Sequence, residues 1–237
     1  MQDMQRAFVL HTRPYRETSL IVDLFCEDIG RLSVVVKGGR GRKGSAALFQ
    51  PFQEIWVAYG GHSELKTLLQ VEPGELKVSL SGLALYSGFY LNELVLKLLP
   101  VQGGVSGLFS HYISSLSTLA SGQQIEPSLR EFELALLDEL GLGIDFGFES
   151  TSGSPVVSHG TYRVGLNSGV QRVDSIEDTG VDGATMLAIA QRAWQDSNVL
   201  QAAKKICRNL INELLDGRVL QSRKVMQQFI EVQRQSK

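Results

Sequence analysis

Four cationic side chains fall within seven residues of a glycine-rich stretch, and this spacing suits the binding of a phosphate backbone. The stretch, residues 30–45, reads GRLSVVVKGGRGRKGS, with its cations at Lys37, Arg40, Arg42 and Lys43. Its glycines leave the backbone free to follow an irregular partner. Because affinity for a polyanion comes mainly from neutralised phosphates, a strand that leads into a cationic loop predicts contact with nucleic acid. The alternative is an ordinary solvated turn.

Other residues of the N-terminal third extend this predicted nucleic-acid-binding surface. The further cations are Arg13, Arg16, Arg31 and Lys66, and the aromatic residues that could stack on bases are Tyr15, Phe49, Trp56 and Tyr59. Cations that track a backbone and aromatic rings that stack on bases are the usual means of binding single strands. The alternative is that these rings belong to a protein core. The core is favoured for Trp56, because alternation places it on one face with Phe52 and Ala58.

A second group of residues in the C-terminal half suits an acidic peptide. Its members are Arg130, Phe132, Lys204, Lys205 and Arg208. A cationic rim around an apolar groove would hold a peptide that ends in a hydrophobic residue and a carboxylate, since charge steers the peptide and the groove retains it. The alternative for a lone arginine on a helix is simple solvation.

No residue pattern indicates catalysis or a bound metal. The four histidines are scattered, and neither Cys26 nor Cys207 has a partner at metal-ligand spacing. The glycines at 38–41 are not followed by the Lys-Ser/Thr ending of a nucleotide-binding loop. The sequence therefore predicts a binding protein without a cofactor, and an enzyme with an unfamiliar site is the alternative.

Charge is segregated along the 237 residues, although the net charge is only -2. Residues 1–80 contain 10 lysines and arginines and 9 acids. Residues 81–198 contain 5 lysines and arginines and 13 acids, and residues 199–237 contain 8 and 3. An anion-binding surface must therefore be local. The N-terminus lacks the pattern of a signal peptide. The most apolar run, residues 83–99, is interrupted by Asn92 and Glu93, which indicates a buried helix rather than a membrane span and makes the cytoplasm the expected compartment.

Alternation of apolar and polar residues predicts five short strands over residues 1–79. They cover residues 6–11, 18–25, 30–37, 51–59 and 65–71. Five strands with one long connection between the third and the fourth predict an OB-fold β-barrel, with an SH3-like barrel as the alternative. Pro73 and Gly74 mark the edge of this domain.

The periodicity then changes to that of helices, which predicts a helical bundle domain over residues 80–237 and an α+β protein of two domains. The predicted helices are residues 81–99, 105–120, 126–140, 184–195, 199–215 and 222–233. Residues 143–182 are rich in glycine and serine and predict an irregular insertion with a β-hairpin around Asn167 and Ser168.

Five blocks of this sequence resemble one known family. In order they read QRAFVLHTRPYRETSLIVDLF, GRLSVVVKGGRGRKG, LYSGFYLNELVLKLLP, LREFELALLDELGLG and LQSRKVMQQF. They are similar to the blocks of RecO, the bacterial recombination mediators, and most similar to its gammaproteobacterial branch. The resemblance covers nearly the whole chain and is weakest in the insertion.

The resemblance implies a role in DNA repair through binding rather than catalysis. It implies binding of single- and double-stranded DNA, annealing of complementary strands, and help in loading RecA onto DNA covered by the single-stranded-DNA-binding protein SSB, at the nucleoid. RecR and the acidic C-terminal tail of SSB are the implied protein partners. The loop cations Lys37, Arg40, Arg42 and Lys43 match the family's DNA-contacting loop. Arg130 matches an arginine near the tail-binding pocket, and Lys204 and Lys205 match a basic block.

The sequence departs from the family pattern at one point. Many RecO proteins carry four cysteines in the insertion that hold zinc, whereas residues 143–182 contain none. We therefore expect no zinc and an insertion held by its own hairpin and packing. The functional alternative from another class is an RNA-binding translation or ribosome-associated factor, which an OB barrel and a basic tail would serve equally well.

Overall fold

A computed structural model describes residues 4–40, 45–104, 107–173 and 180–235. The chain divides into two compact units, of which the first comprises Met1–Ile125 and Leu220–Lys237 and the second comprises Glu126–Val219. The second unit is therefore an insertion between two segments of the first. The predicted domain boundary near residue 79 stays a prediction.

Five strands close into a barrel in the first unit. They are β1 (Gln5–Tyr15), β2 (Ser19–Cys26), β3 (Gly30–Val36), β4 (Glu54–Gly60) and β5 (Leu65–Pro73). Their order around the barrel is β1-β2-β3-β5-β4, in which β3 runs parallel to β5 and the other pairs are antiparallel. This confirms the predicted OB-type barrel.

Alternation along the strands fills the barrel interior. In β3, for example, Leu32, Val34 and Val36 are buried while the residues between them are half-buried. The same period places Val22 and Leu24 of β2 inside. The sequence did not reveal the extra length of β1, which continues past a bulge near Leu10 to Tyr15.

Six helices occur in the described part of the chain. They are α1 (Gly82–Leu98), α2 (Leu108–Ala120), α3 (Ile125–Glu139), α4 (Gly183–Ala190), α5 (Ser197–Leu215) and α6 (Gln221–Gln235). Each corresponds to a predicted helix, but α4 ends five residues earlier than expected. The backbone turns left-handed at Arg192, with φ of 57°, which a continuing helix does not permit.

Helix α2 covers part of the barrel's outer face through aromatic rings. The Tyr112 ring lies 5.4 Å from both Phe8 and Phe25, with edge-on geometry. Its hydroxyl donates a 2.6 Å hydrogen bond to Asn92 of α1, and Asn92 in turn donates to the Leu10 carbonyl of β1. One buried network therefore joins the barrel, α1 and α2.

Helix α6 returns to the first unit and packs on α1. The Glu93 carboxylate accepts hydrogen bonds from the backbone N–H groups of Gln221 and Ser222 and from the Ser222 hydroxyl. It thereby satisfies donors that the first turn of a helix leaves unpaired. Tyr86 and Phe229 stack with ring centroids 4.7 Å apart. The start of α6 is thus fixed by one carboxylate and its body by ring packing.

The docking of α6 should weaken in acid. Burial alone would raise the pKa of Glu93, but hydrogen bonds from Ser222, Gln221 and Lys97 together lower it. The stabilisation is therefore complete above the ordinary pKa of glutamate and is lost as the pH falls through the lowered pKa. We expect amide-exchange protection of α6 to fall over that range, and Glu93→Gln to reduce protection already at pH 7.

Glu231→Gln is the matched control, because Glu231 lies on α6 and is exposed. Its protection should follow the wild type at every pH. Equal protection of α6 in wild type and Glu93→Gln at neutral pH would show that the carboxylate does not hold the helix.

The second unit builds its core from α3, α4, α5 and a small sheet. The sheet contains β6 (Thr161–Gly165), β7 (Gly169–Val173) and β8 (Val181–Asp182) in the order β7-β6-β8. The predicted hairpin is present as β6 and β7, and β8 is a third strand that the sequence did not indicate. Tyr162 and Leu210 are fully buried in this core. Tyr162 also uses its hydroxyl to accept a hydrogen bond from the Val157 N–H, so packing and hydrogen bonds hold the insertion together.

No helix in the described ranges is long and apolar enough to cross a membrane.

Candidate nucleic-acid interface

The register of the barrel strands gathers several of the predicted cations at one end. Tyr15 pairs with Ser19, and Leu20 pairs with Val36. The turn between β1 and β2 therefore lies beside the end of β3. Arg16 sits in that turn and Lys37 directly follows β3, and both are exposed. Two segments that are distant in sequence thus present their cations together.

The first part of the basic loop is fixed against this turn. The backbone N–H of Arg40 donates to the Thr18 carbonyl at 3.0 Å, and its guanidinium donates to the Glu17 carbonyl at 3.2 Å. Gly39 permits the close approach, since a Cβ there would lie 3.0 Å from side-chain atoms of both Leu20 and Val36. The acceptors carry no net charge, so Arg40 keeps its positive charge while its position is set.

The outer face of β1 continues the cationic surface along the barrel. With a period of two, His11, Arg13 and Tyr15 share one face, and Arg13 is exposed. The Arg16 guanidinium lies 5.1 Å from the centre of the Tyr15 ring. On the neighbouring strand the Asp23 carboxylate is buried and accepts a hydrogen bond from Ser33. The Asp23 carboxylate also lies 3.7 Å from His11 Nδ1, so it is engaged within the protein.

The sequence analysis named Arg13 and Tyr15 but did not place them in a row on one strand, because the predicted first strand ended at His11. The alternating pattern does continue to Tyr15, but Pro14 argues against a strand. In the structure Pro14 pairs with Leu20 near the end of β1, where the ladder no longer needs its missing N–H.

The structure separates Arg31 from this group and ties Lys66 to the turn before β5. Arg31 pairs with Phe25 at the opposite end of β3, six residues and about 20 Å from Lys37 at 3.3 Å per residue. Lys66 lies on β5 opposite Val34 and donates to the Gly61 carbonyl at 3.2 Å. Arg42 and Lys43 lie outside the described residues. The described group therefore consists of Arg13, Arg16, Lys37 and Arg40.

The aromatic residues divide between the core and the surface. Phe49 belongs to the barrel core. Trp56, for which the sequence favoured the core, is 39% exposed, so that prediction is wrong. The reason is that β4 begins only at Glu54, and Phe52 before it has a left-handed φ of 68°, so the alternation does not extend back to Phe52. Burial raises the pKa of Tyr59, which is half-buried.

The structure places Arg130 and Phe132 inside the second unit rather than on a rim. Arg130 is 4% exposed and Phe132 is fully buried. The guanidinium forms two hydrogen bonds of 2.6 and 2.7 Å with the buried Glu133 carboxylate and one of 3.3 Å with Glu126. The expectation of an exposed cation at Arg130 is therefore wrong, because α3 turns this side of the helix into the core.

The other members of the second group are exposed on α5. Lys204 donates a 2.7 Å hydrogen bond to Glu126, and Arg208 faces solvent. Lys205 lines an open cavity of about 380 Å³ together with Arg163, Ile206 and Asn209. Arg163 was not singled out beforehand, because nothing in the sequence indicates that β6 and α5 would bring it beside Lys205.

Within the part of the chain that the structure describes, no three histidine, cysteine or acidic side chains are grouped as a metal site would require. Cys26 and Cys207 are both buried as free thiols. Burial, with a smaller effect of Asp28, raises the pKa of Cys26 to about 12, so this thiol is unreactive at neutral pH.

Comparison with known proteins gives consistent matches over nearly the whole chain. The family described as "Recombination protein O N terminal" matches residues 1–76, and that described as "Recombination protein O C terminal" matches residues 80–226. The protein named "DNA repair protein RecO" of Hahella chejuensis (strain KCTC 2396) is 44% identical over 230 residues, which cover 97% of each chain. The protein of that name from Yersinia pestis (strain Pestoides F) is 43% identical over 232 residues, covering 97% of this chain and 96% of its own.

Proposed function

Because this chain belongs to the RecO family of DNA repair and recombination proteins, we propose that it is a recombination mediator that acts by binding and carries out no catalytic step. It binds single- and double-stranded DNA, anneals complementary strands, and helps RecR to load RecA onto DNA covered by SSB. Its place of action is then the nucleoid. The observation that carries this proposal is the grouping of Arg13, Arg16, Lys37 and Arg40 at one end of an OB-type barrel.

The charge arrangement supports binding without sequence preference. The described cations are exposed at one end of the barrel, where they can neutralise phosphates of any sequence. Arg42 and Lys43 follow Arg40 after one glycine in the chain and extend the same cationic segment. Annealing follows when two strands are held with their charge neutralised and their bases free to pair. Arg31 contacts DNA only if it extends along the barrel away from this end, and Lys66 contacts DNA that passes over β5 beside β3.

Removing the loop cations should flatten the salt dependence of DNA binding. We expect the triple variant Arg40→Ala/Arg42→Ala/Lys43→Ala to reduce the magnitude of the slope of log affinity against log salt by about 2. The reason is that each lost phosphate contact removes about 0.7 from the slope on single strands. Fluorescence anisotropy of a labelled oligonucleotide over a series of salt concentrations measures this slope.

The variant Arg40→Lys/Arg42→Lys is the matched control, because it keeps both charges and should keep the slope. An unchanged slope in the alanine variant would remove the loop from DNA binding.

Competition with RNA of equal length separates DNA repair from the alternative of an RNA-binding factor. The alternative predicts that RNA competes at least as well as DNA.

We also propose that the second unit binds the acidic tail of SSB through α5. Lys204, Lys205 and Arg208 are the exposed cations of this helix, and the apolar Ile206 lies in the cavity beside Lys205. Charge would steer the tail and the cavity would retain its hydrophobic end. Arg130 and Phe132 then act indirectly, since they fix α3 within the same unit.

A further inference from the structure

We infer that the first unit contains a pocket for one unstacked base of single-stranded DNA, at the end of the row formed by His11, Arg13 and Tyr15. This inference rests on the proposed DNA binding. The pocket is an open cavity of about 530 Å³ between β1, α1 and α6, and among its lining residues are Leu10, His11, Tyr86, Phe89, Leu96 and Val225. Its volume falls within the range of about 300–1,000 Å³ typical of small-ligand sites.

The walls of this base pocket present exposed but well-supported apolar surface. The Phe89 side chain is 38% exposed, and its ring packs against Phe52 with centroids 5.2 Å apart. On the opposite wall Val225 of α6 is 43% exposed. A ring that is held from behind and open in front is a platform on which the flat face of a base can stack.

Two of the polar side chains that line the pocket, Asn92 and Glu93, are engaged within the protein. Asn92 donates to the Leu10 carbonyl and accepts from Tyr112. Glu93 caps α6 and forms a 3.1 Å ion pair with Lys97. The pocket therefore offers a stacking surface while Asn92 and Glu93 are already occupied, which suits a base of any identity rather than one particular base.

The charge outside the pocket decides what occupies it. His11 lines the pocket and is the first residue of the row on β1, with 53% of its side chain exposed. Arg13 and then Arg16 follow within five residues, so cations continue from the mouth of the pocket toward the basic loop. A strand whose phosphates lie on these cations brings a base to Phe89. The apolar side chain of a protein partner would make no favourable electrostatic contact with the cationic row.

A pocket of this kind distinguishes single strands from duplexes. A base in a duplex is paired and stacked, and extrusion into a pocket has a free-energy cost that an unpaired base does not have. The loop cations bind phosphates of both forms, whereas the pocket adds affinity only for single strands.

Oligomers with and without bases test the inference on the full chain. We would measure the affinity for oligo-dT and for a fully abasic oligomer of the same length. The ratio to follow is the affinity for oligo-dT divided by the affinity for the abasic oligomer. In Phe89→Ala this ratio should fall by about 10-fold, within the range that loss of one stacked base gives, while affinity for the abasic oligomer and for a duplex changes less than about 2-fold. Phe89→Leu, which keeps the contact with Phe52 but lacks a flat face, should give the same fall.

Leu69→Ala is the matched control, since Leu69 is an apolar residue of β5 that is 62% exposed and does not line the pocket. Its ratio should equal that of the wild type. An unchanged ratio in both Phe89 variants, or an equal loss for both oligomers, would overturn the base pocket and leave DNA binding itself intact. Failure of the wild type to bind either oligomer would instead remove the proposed function, and the pocket with it.

Discussion

Arg130→Ala should lower the free energy of unfolding of the second unit by about 3–5 kcal/mol, the cost of removing one partner from a buried ion pair. The substitution leaves the Glu133 carboxylate, which is 1% exposed, without the guanidinium that now holds both of its oxygens. Trp194 reports on this unit, because its indole N–H donates to Glu131 of α3. Urea unfolding followed by Trp194 fluorescence, in a Trp56→Phe background, measures the change.

Two further variants show whether the buried charge is the cause. Lys205→Ala removes an exposed cation from the same unit and should change stability by less than about 0.5 kcal/mol. Arg130→Met/Glu133→Leu removes both buried charges and should recover most of the loss, since replacing a whole buried pair by apolar residues is often neutral. Wild-type stability in Arg130→Ala would show that the pair contributes nothing.

This prediction changes how binding of the SSB tail should be tested. A loss of tail binding in Arg130→Ala would report damage to the fold of α3 as well as any lost contact. Lys205→Ala is the cleaner variant, because Lys205 is exposed and lines the cavity together with Ile206. Slower association and a weaker salt dependence are the effects expected when a charge at the rim of a site is removed.

Tyr112→Ala should lower the free energy of unfolding of the first unit by about 3–5 kcal/mol, as removal of large buried aromatic side chains does. Tyr112 is fully buried, and its ring contacts Phe8 and Phe25 of the barrel. Tyr112→Phe keeps the ring but leaves the Asn92 carbonyl oxygen without its donor, so we expect a smaller loss of about 1–3 kcal/mol.

The loss of stability in Tyr112→Ala should be visible in the unfolding of the barrel. Trp56 on β4 is the tryptophan of this unit, so its fluorescence in a Trp194→Phe background follows barrel unfolding. Tyr15→Ala is the control, because Tyr15 is only half-buried and should affect stability far less. An unaltered Trp56 transition in Tyr112→Ala would mean that the barrel folds without help from α2.

The sequence predicted the barrel and the helices because each depends on a repeating pattern. The buried row of Leu32, Val34 and Val36 repeats every two residues, and that of Ala203, Cys207 and Leu210 in α5 follows the helical period. Patterns of this kind are local, so the element and its buried face can be inferred from a short window of residues. The cationic loop after β3 was found by the same means, because its charges are adjacent in sequence.

Contacts between distant residues could not be predicted in this way. Arg31 and Lys37 are close in sequence, yet β3 carries them to opposite ends of the barrel. The ion-pair partners of Arg130, Glu126 and Glu133, are only four and three residues away, but the burial of Arg130 depends on the rest of the second unit. The base pocket unites Leu10, Phe89 and Val225 from three separate elements, and no window of sequence contains all three.

The return of α6 to α1 has a consequence for synthesis on the ribosome. Residues 126–219 emerge between the two segments of the first unit, so α1 waits for its partner helix while 94 residues are translated, about 5–20 s at bacterial rates. Tyr86, which packs on Phe229 of α6, remains uncovered on that side during this interval. We therefore expect this face of α1 to be bound by a chaperone until α6 has left the ribosomal exit tunnel. A chain that ends before α6 would keep this apolar face exposed.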